Sequence, residues 1–180
     1  MKVFVETDRF LMREFLESDV DELFLLESDP EVYRYLGMPA VASKDQMPEM
    51  IAYVRQQYVD NGIGRWVVIE KDTGVLVGWS GLKYETVDQP GQPYFDLGYR
   101  FRREYWGKGI ASETARASLD YGFKVMQLEQ ICAAAHIENI GSNRVLQKMG
   151  MRQGELFHFE GMPHNWYLLD RQDWGRSNPA

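Results

Sequence analysis

The sequence predicts a mixed α/β (α+β) fold, with one domain over residues 1–180. A chain of 180 residues that is 44% hydrophobic can bury one sizeable core but is short for two. Strand-like apolar segments occur between segments whose apolar residues recur every three or four positions, as they do in helices. Short Pro and Gly clusters separate these segments, and no repeat or low-complexity linker divides the chain. Strands interspersed with helices in this way indicate a layered domain.

The first third of the chain predicts one strand and three helices. We expect a strand over residues 10–15, followed by a helix that Ser18 caps. Asp29-Pro30 opens a second, short helix with proline at its first position. The residues S-K-D-Q at 43–46 fit a capping box for a third helix, which Gly62 ends.

The middle of the chain predicts the strands at the centre of the sheet. Residues 66–70 and 75–79 flank the turn at 72–74 and are expected to pair as a hairpin. A loop over residues 87–93 then leads into a third strand over residues 94–102.

The last part of the chain begins with a glycine-rich turn at 106–109, which opens a helix. Four apolar residues recur at every fourth position of that helix, namely Ala111, Ala115, Leu119 and Phe123. A strand, a short helix ended by Gly150 and two closing strands follow, at residues 128–136, 142–149, 152–159 and 166–171.

Charge and hydropathy argue against two classes of partner, nucleic acids and membranes. A net charge of −7 and a pI near 5.0 argue against nucleic-acid binding, which needs clustered Lys and Arg. No segment approaches the roughly 20 apolar residues that span a bilayer. We therefore expect a cytoplasmic protein with no membrane partner.

Cysteine and histidine indicate neither a disulfide nor a metal site. Cys132 is the one cysteine, so no internal disulfide can form, and its apolar surroundings predict a small buried hydrophobe. The spacing of His136, His158 and His164 matches no zinc pattern. We predict that the protein holds no metal.

The glycine-rich turn before the predicted helix can bind an anion. The first N–H groups of a helix lack partners, and Gly107 and Gly109 allow a close approach to them. Lys108 can add a positive charge. No hydroxyl follows this lysine as in a triphosphate P-loop, and the dinucleotide pattern G-x-G-x-x-G is not met. A helix-capping turn without a ligand is the alternative interpretation.

The surroundings of this turn resemble a known family. Residues 96–113 (DLGYRFRREYWGKGIASE) resemble the acetyl-CoA-binding core of the GNAT superfamily, most closely its Rim-type ribosomal-protein N-terminal acetyltransferases. The signature Q/R-x-x-G-x-G/A falls on residues 106–111, with Trp106 in place of Gln or Arg. Residues 136–151 resemble the N-x-x-S…K-x-G-F ending, with Met151 in place of Phe. The opening and closing strands also match, so the resemblance covers nearly the whole chain.

The resemblance implies a fold and an acyl-donor site. It implies a mostly antiparallel central sheet flanked by helices, in which the strands at 94–102 and 128–136 splay apart around the acetyl thioester. Acetyl-CoA is the implied acyl-donor substrate, with the pantetheine arm beside the splayed strand and the pyrophosphate on the loop amides. The implied cofactor-binding residues are Arg100, Phe101, Trp106, Gly107, Lys108, Gly109, Ile110, Ala111, Asn139 and Ser142.

The resemblance also implies candidates for the chemistry. Many superfamily members protonate the departing thiolate with a tyrosine on the last short helix, but Leu146 occupies the corresponding position here. Ser142 is therefore the candidate proton donor or thiolate stabiliser, and Asn139 the residue that positions cofactor or water. A backbone N–H near residues 99–101 is the candidate contact for the thioester carbonyl. Alternatively, Ser142 is only a helix N-cap.

Energetics favour an α-amino acceptor. At pH 7, neutralising an α-amine with a pKa of about 7.7 costs roughly 1 kcal/mol, against roughly 4.6 kcal/mol for a lysine near 10.4. An α-amine therefore needs only a weak base, for which Asp96 and Glu14 are candidates. Tyr84 and Glu85 are further candidates for lining the acceptor side.

The predicted function is acetyl transfer from acetyl-CoA to a primary amine, with the N-terminal α-amine of a protein or peptide as the preferred acceptor. A small amine such as an aminoglycoside, polyamine or amino acid is the enzymatic alternative. A non-catalytic acyl-CoA-binding module is the alternative from another class, favoured by Leu146. The sequence does not predict an oligomeric state.

Overall fold

The computed structural model describes residues 1–86 and 93–177. Within them lie the strands β1 (Val3–Glu6), β2 (Phe10–Arg13), β3 (Trp66–Glu70), β4 (Leu76–Glu85), β5 (Tyr94–Phe101), β6 (Gln130–His136), β7 (Arg152–Phe159) and β8 (Met162–Asp170). The α-helices are α1 (Val20–Glu27), α2 (Pro30–Tyr33), α3 (Met47–Asn61), α4 (Ile110–Asp120), α5 (Ile140–Lys148) and α6 (Arg171–Ser177). Shorter turns are 3₁₀ at Glu17–Asp19, Lys44–Gln46 and Arg103–Tyr105, and π-helical at Tyr121–Val125. Except for Pro93, the predicted loop at 87–93 lies outside the described residues.

The eight strands form one sheet in the order β1-β2-β3-β4-β5-β6-β8-β7. All neighbouring strands are antiparallel except β5 and β6, which run parallel. These two strands pair at a single position, Asp96 with Cys132, near their amino-terminal ends. Beyond it they diverge, so the prediction of a mostly antiparallel sheet with a splayed central pair is confirmed.

Helices cover both faces of the sheet because the strands alternate apolar residues between the faces. Trp66 and Val68 of β3 belong to one core cluster, whereas Val67 between them belongs to the other. The first cluster includes Ala115 and Leu119 of α4, and the second includes residues of α1 and α3. The two faces thus carry separate hydrophobic cores.

Cys132 lies in this interior as predicted. Its side chain is buried, and burial raises the pKa of its thiol to about 12. The prediction of a small buried hydrophobe is confirmed. Within residues 1–86 and 93–177, no helix is long and apolar enough to cross a membrane.

Local chemistry explains where the helices begin and end. The Asp29 side chain accepts the Glu31 N–H at 3.0 Å and starts α2. Ser43 and Gln46 form the predicted capping box, with the Ser43 N–H donating to Gln46 Oε1 at 3.2 Å. Gly62 ends α3 in the left-handed conformation, at φ 69°. These predictions are confirmed.

The prediction that Ser18 caps the first helix is wrong. Ser18 lies inside the 3₁₀ turn Glu17–Asp19, and the neighbouring carboxylate of Asp19 accepts the Leu16 N–H at 2.7 Å. The same carboxylate pairs with Arg13 through two bonds of 2.7 Å. Asp19 occupies the N-cap position of α1, but its carboxylate bonds to Leu16 and Arg13 rather than to a free N–H group of the helix.

Several elements differ from the sequence prediction, and β8, which was expected over residues 166–171, begins at Met162. The edge strand β1 and the terminal helix α6 were not predicted, because each is short and carries little periodic signal. Strand β4 continues to Glu85 although Gly78 and Gly81 resemble turn residues. A Cβ at Gly78 would collide with the Arg100 carbonyl oxygen, so glycine is required there for the close approach of β5.

Candidate active site

A cavity of about 620 Å³ opens where β5 and β6 diverge, and we call it the β5–β6 cleft. Residues of α2, the end of β5, the glycine-rich loop and the first turns of α4 and α5 line it. All the predicted cofactor-binding residues except Lys108 are among the lining residues. The cleft therefore gathers two sequence blocks that lie about thirty residues apart.

The glycine-rich loop presents backbone N–H groups to the cleft. Gly107 and Gly109 adopt positive φ of 74° and 78°, and α4 begins at Ile110 without a side-chain cap. The first N–H groups of α4 therefore lack partners within the helix. A Cβ at Gly107 would meet no atom of the described chain within 4 Å, and one at Gly109 would meet only Arg9 Nη2 at 3.7 Å. The loop is an open cradle for an anion at a helix N-terminus, which fits the pyrophosphate of acetyl-CoA.

The turn between β1 and β2 holds this loop in place. Arg9 donates to the Lys108 carbonyl at 3.2 Å and to Glu113 Oε2 at 2.7 Å. Thr7 Oγ1 donates to the other carboxylate oxygen of Glu113 at 2.6 Å. Partial burial acts to raise the pKa of Glu113, but the hydrogen bonds from Thr7 and Arg9 outweigh it and lower that pKa. Sequence analysis did not identify this contact, because its members are about a hundred positions apart.

Trp106 and Lys108 differ in their relation to the cleft. The Trp106 indole Nε1 donates to the Phe101 carbonyl at 2.8 Å, which ties the loop to the end of β5. The Lys108 side chain lies outside the cleft, with Nζ 4.9 Å from the centre of the Tyr105 ring. The loop therefore presents backbone groups rather than the lysine ammonium.

The hydrogen-bond pattern of β5 decides which peptide groups face the cleft. The Arg102 N–H donates to the Val77 carbonyl at 3.0 Å, so Arg102 and every second residue before it bond to β4. The peptide of Arg100 is therefore directed to β4, away from the cleft. The peptide groups of Tyr99 and Phe101 are directed toward β6, which has already diverged. The assignment of Arg100 to the pantetheine arm stays a prediction that the direction of its peptide does not favour, although Arg100 lines the cleft.

The Arg100 side chain lies in a buried polar cluster. It forms an ion pair with Glu27 and donates to Tyr33 Oη at 3.0 Å. Tyr33 Oη and Trp79 Nε1 donate to Glu27 at 2.6 and 2.8 Å, and Glu27 is fully buried. Burial raises the pKa of Tyr33 above its ordinary range. This cluster fastens α1 and α2 to the strand that borders the cleft.

The two predicted bases lie outside the lining of the cleft. Asp96 forms an ion pair with Arg65, which also donates to the Gly81 carbonyl at 2.6 Å. Glu14 accepts the Lys2 N–H at 2.8 Å and lies 3.6 Å from the N-terminal ammonium. Both carboxylates already have partners, so their assignment as bases stays a prediction that this geometry does not favour.

Tyr84 and Glu85 also lie outside the lining of the cleft. The Tyr84 ring packs against Phe95 at a centroid distance of 5.1 Å, and Glu85 forms an ion pair with Lys83. Their role on the acceptor side likewise stays a prediction.

Ser142 lies in the first turn of α5 but does not cap it. Asn139 is the N-cap, and its Oδ1 accepts the Ser142 N–H at 3.1 Å. The alternative that Ser142 serves as the cap is therefore wrong. Its hydroxyl oxygen lies 3.0 Å from Tyr99 Oη. Leu146 is buried in the hydrophobic core.

A buried asparagine, which sequence analysis also missed, holds α5 against the sheet. Asn143 Nδ2 donates to the His136 and Asn139 carbonyls at 2.9 and 2.8 Å. Its Oδ1 accepts from Asn165 at 2.8 Å and from Tyr167 at 2.7 Å. A polar side chain with its partners satisfied in this way fixes its helix rigidly. The position of Ser142 is thereby determined.

The histidine side chains contact backbone groups and aromatic rings. His136 Nδ1 accepts the Glu138 N–H at 3.1 Å, and the His136 and His164 rings meet edge to face at 5.4 Å. Burial lowers the pKa of His164. In the described part of the chain, no three His, Cys, Asp or Glu side chains are grouped to hold a metal ion.

Comparison with known proteins identifies the same family that the sequence motifs resemble. The family model of the acetyltransferase (GNAT) domain matches residues 9–152. The uncharacterized N-acetyltransferase YnaD of Bacillus subtilis is 35% identical over 177 residues, which cover 94% of this chain and 98% of that protein.

Two solved structures share the fold at lower identity. The ribosomal-protein-S5-alanine acetyltransferase of Vibrio fischeri superimposes with a TM-score of 0.76 at 19% identity, covering 97% of this chain and 99% of its own. The spermidine N-acetyltransferase of Vibrio cholerae, in complex with CoA and spermine, gives 0.75 at 16% identity, covering 93% and 99%. At these identities the likeness concerns the fold alone.

Proposed function

Because the chain belongs to the GNAT acetyltransferase family and is an acetyl-CoA-dependent N-acetyltransferase, we propose that it acetylates the α-amine at a protein or peptide N-terminus. The observation that supports the donor half most directly is the β5–β6 cleft, which joins an anion-binding loop to Ser142. Family membership favours an enzyme over a non-catalytic acyl-CoA-binding module.

Two elements that line the cleft share the binding of acetyl-CoA. The N–H groups at the start of α4 and in the loop at 107–109 hold the pyrophosphate. The Tyr99 peptide groups and the Phe101 N–H pair with the pantetheine arm, as an added strand would pair with β5, while the Phe101 carbonyl accepts from Trp106. The acetyl group then lies between the end of β5 and the first turn of α5, which both line the cleft.

The transfer requires a polarised carbonyl and a stabilised thiolate. A β5 N–H directed into the cleft, from Tyr99 or Phe101, polarises the thioester carbonyl. The neutral amine attacks the carbonyl carbon, the C–N bond forms and the C–S bond breaks. The nitrogen loses one proton, and the coenzyme A sulfur takes one up. Ser142 donates a hydrogen bond to the departing thiolate, and Asn139 keeps Ser142 in place.

The choice of acceptor rests on the groups available near the cleft. Its lining carboxylates are Glu31 and Glu138, and Glu31 pairs with Arg34 at 3.7 Å. A site without a strong buried base suits an amine that is already largely neutral. At pH 7 a lysine side chain is roughly 500-fold less often neutral than an α-amine. The resemblance to Rim-type motifs and the shared fold of a ribosomal-protein acetyltransferase agree with this acceptor.

A small polyamine is the second candidate acceptor. The carboxylates of Glu31 and Glu138 at the cleft favour a cationic substrate, and the net charge of −7 acts in the same direction. The shared fold of a spermidine acetyltransferase agrees with this alternative. The donor site and the chemistry are the same in both cases.

Two matched peptides and spermidine separate the candidates. One peptide has a free N-terminus and no lysine, and the other has a blocked N-terminus and one lysine. We expect kcat/KM for the free α-amine to exceed that for the lysine by at least about tenfold at pH 7. Thiol release gives the rate, and mass analysis identifies the acetylated product. Equal turnover of the lysine peptide would contradict the N-terminal assignment, and turnover of spermidine alone would favour the polyamine.

A further inference from the structure

We propose that Tyr99 is a positioning residue for the reaction, because its hydroxyl donates to Ser142 Oγ and turns the Ser142 proton toward the departing thiolate. This inference rests on the proposed function of Ser142. It adds a second hydroxyl, from β5, to a site in which α5 alone was expected to act. The sequence-based candidates included Tyr99 only through its backbone N–H and not through its hydroxyl group.

The geometry brings the two hydroxyl groups together inside the cleft. Tyr99 Oη lies 3.0 Å from Ser142 Oγ and 3.3 Å from the Ser142 carbonyl oxygen. Both residues line the cleft, so the pair faces the space that the thioester occupies in the proposed function. The shorter of the two contacts is the one between the hydroxyl oxygens.

Neighbouring contacts restrict both side chains. The Tyr99 ring lies on the core side of β5, nearly parallel to Phe101 at a centroid distance of 6.4 Å. The backbone of Ser142 is fixed by the Asn139 cap, and α5 is fixed by the buried Asn143. The distance between the two hydroxyl oxygens is thus set by the sheet and the helix together.

Either hydroxyl group can donate at this distance, and the proposal assigns the hydrogen of this contact to Tyr99. Burial raises the pKa of Tyr99 above its ordinary range, so the phenol keeps its proton at neutral pH. A serine hydroxyl has one hydrogen and rotates freely unless a partner fixes it. When Tyr99 donates its hydroxyl hydrogen to Ser142 Oγ, the hydrogen of Ser142 is free to point into the cleft. Both residues keep their protons, and the proton balance stays between the amine nitrogen and the sulfur.

The pair also explains how the site functions with leucine at position 146. Leu146 is buried in the core, so its side chain is not available to the cleft. A phenol is nevertheless present, supplied by β5 and acting through Ser142. The site therefore contains a tyrosine in a different element from the one that the family resemblance led us to expect.

A double-mutant cycle of Tyr99→Phe and Ser142→Ala tests the coupling. We expect each single variant to lower kcat by about tenfold, and the double variant to be no slower than Ser142→Ala. The Kd for acetyl-CoA, measured by calorimetry, should change by less than about twofold, because the effect belongs to the transition state. Tyr121→Phe is the matched control, since this partly buried tyrosine packs on the same core beside Trp66. It should leave kcat unchanged.

The outcomes distinguish this inference from the proposed function. Wild-type kcat in Tyr99→Phe, or losses that multiply in the double variant, would overturn the positioning role alone. A wild-type enzyme that acetylates spermidine but no peptide would overturn the N-terminal acceptor alone, and the cycle is then measured with spermidine. Ser142→Thr supplies a second test, because it retains a hydroxyl. Tyr99→Phe should lower kcat in that background, and an unchanged kcat there would contradict the proposal.

Discussion

Gly107 and Gly109 take positive φ values where the described chain leaves open space around them. Packing within the protein therefore does not explain their lack of a side chain. Positive φ by itself favours glycine at both positions, and in the proposed function a Cβ here would also stand between the ligand and the N–H groups. In the proposed function, these two glycines connect the local conformation to acetyl-CoA binding.

Replacing Gly109 with valine should weaken acetyl-CoA binding by at least about tenfold. The valine side chain obstructs the glycine-rich loop, and a valine at positive φ strains the backbone by roughly 1–3 kcal/mol. Gly74→Val is the matched control. Gly74 also has positive φ, 72°, and open surroundings, but it lies in the β3–β4 turn outside the cleft. Lys108→Ala should change the Kd by less than about twofold, because its side chain lies over Tyr105. A Kd for Gly109→Val equal to that of Gly74→Val would remove the loop from the donor site.

At the scale of elements, the turn between β1 and β2 supports the amino-terminal end of α4. Thr7 and Arg9 reach across to Glu113 and to the Lys108 carbonyl, so an edge hairpin restrains the glycine-rich loop. In the proposed function, the edge strand β1 and its turn therefore support the donor site although they line no part of the β5–β6 cleft. We expect variants at this contact to act on affinity rather than on kcat.

Glu113→Gln should lower the thermal midpoint Tm by roughly 2–4 °C at pH 7, equivalent to about 1 kcal/mol for a chain of this size. The folded-state pKa of Glu113 is lowered from its ordinary value of 4.5. Its stabilising contribution is therefore present above that value and is lost as the pH falls through the lowered pKa. The Tm difference between the two proteins should stay constant from neutral pH down to about 5.5 and shrink below about 4.5.

The matched control for this pH series is Glu155→Gln, on an exposed part of β7. It should leave Tm within about 1 °C at every pH, as exposed substitutions without special contacts usually do. A Tm difference for Glu113→Gln that grows toward acid pH would contradict the assigned sign. Equal Tm values for both variants at pH 7 would remove Glu113 from the support of the loop.

At the scale of the whole molecule, features that depend on neighbouring residues were predictable from the sequence. The Asp29 cap, the Ser43–Gln46 box and the closing strand β7 follow from local patterns. Contacts across the sheet were not predictable from the sequence, because they depend on strand register. Tyr99 and Ser142 are 43 positions apart, and the alternation of β5 turns the Arg100 peptide toward β4. The motif located the cleft, while the register determined which atoms face it.

The strand register also places a buried ion pair between the helices on one face of the sheet and the sheet itself. Glu27 of α1 pairs with Arg100 of β5 and accepts hydrogen bonds from Tyr33 and Trp79. This cluster connects the helices on one face to the strand that borders the cleft. Removing one partner of a buried pair leaves an uncompensated charge, which is strongly destabilising.

Glu27→Ala should accordingly lower the free energy of unfolding by about 3–5 kcal/mol. Asp21→Ala is the matched control on the same helix, since Asp21 pairs with Lys44 and the two side chains are 72% and 51% exposed. Solvent screens that pair, so its loss should cost about 0–1 kcal/mol. Urea denaturation of both variants measures the difference. Comparable losses would contradict the view that the Glu27 cluster joins α1 and α2 to β5, whereas a much larger loss for Glu27→Ala is expected if the buried charge of Arg100 depends on Glu27 for its compensation.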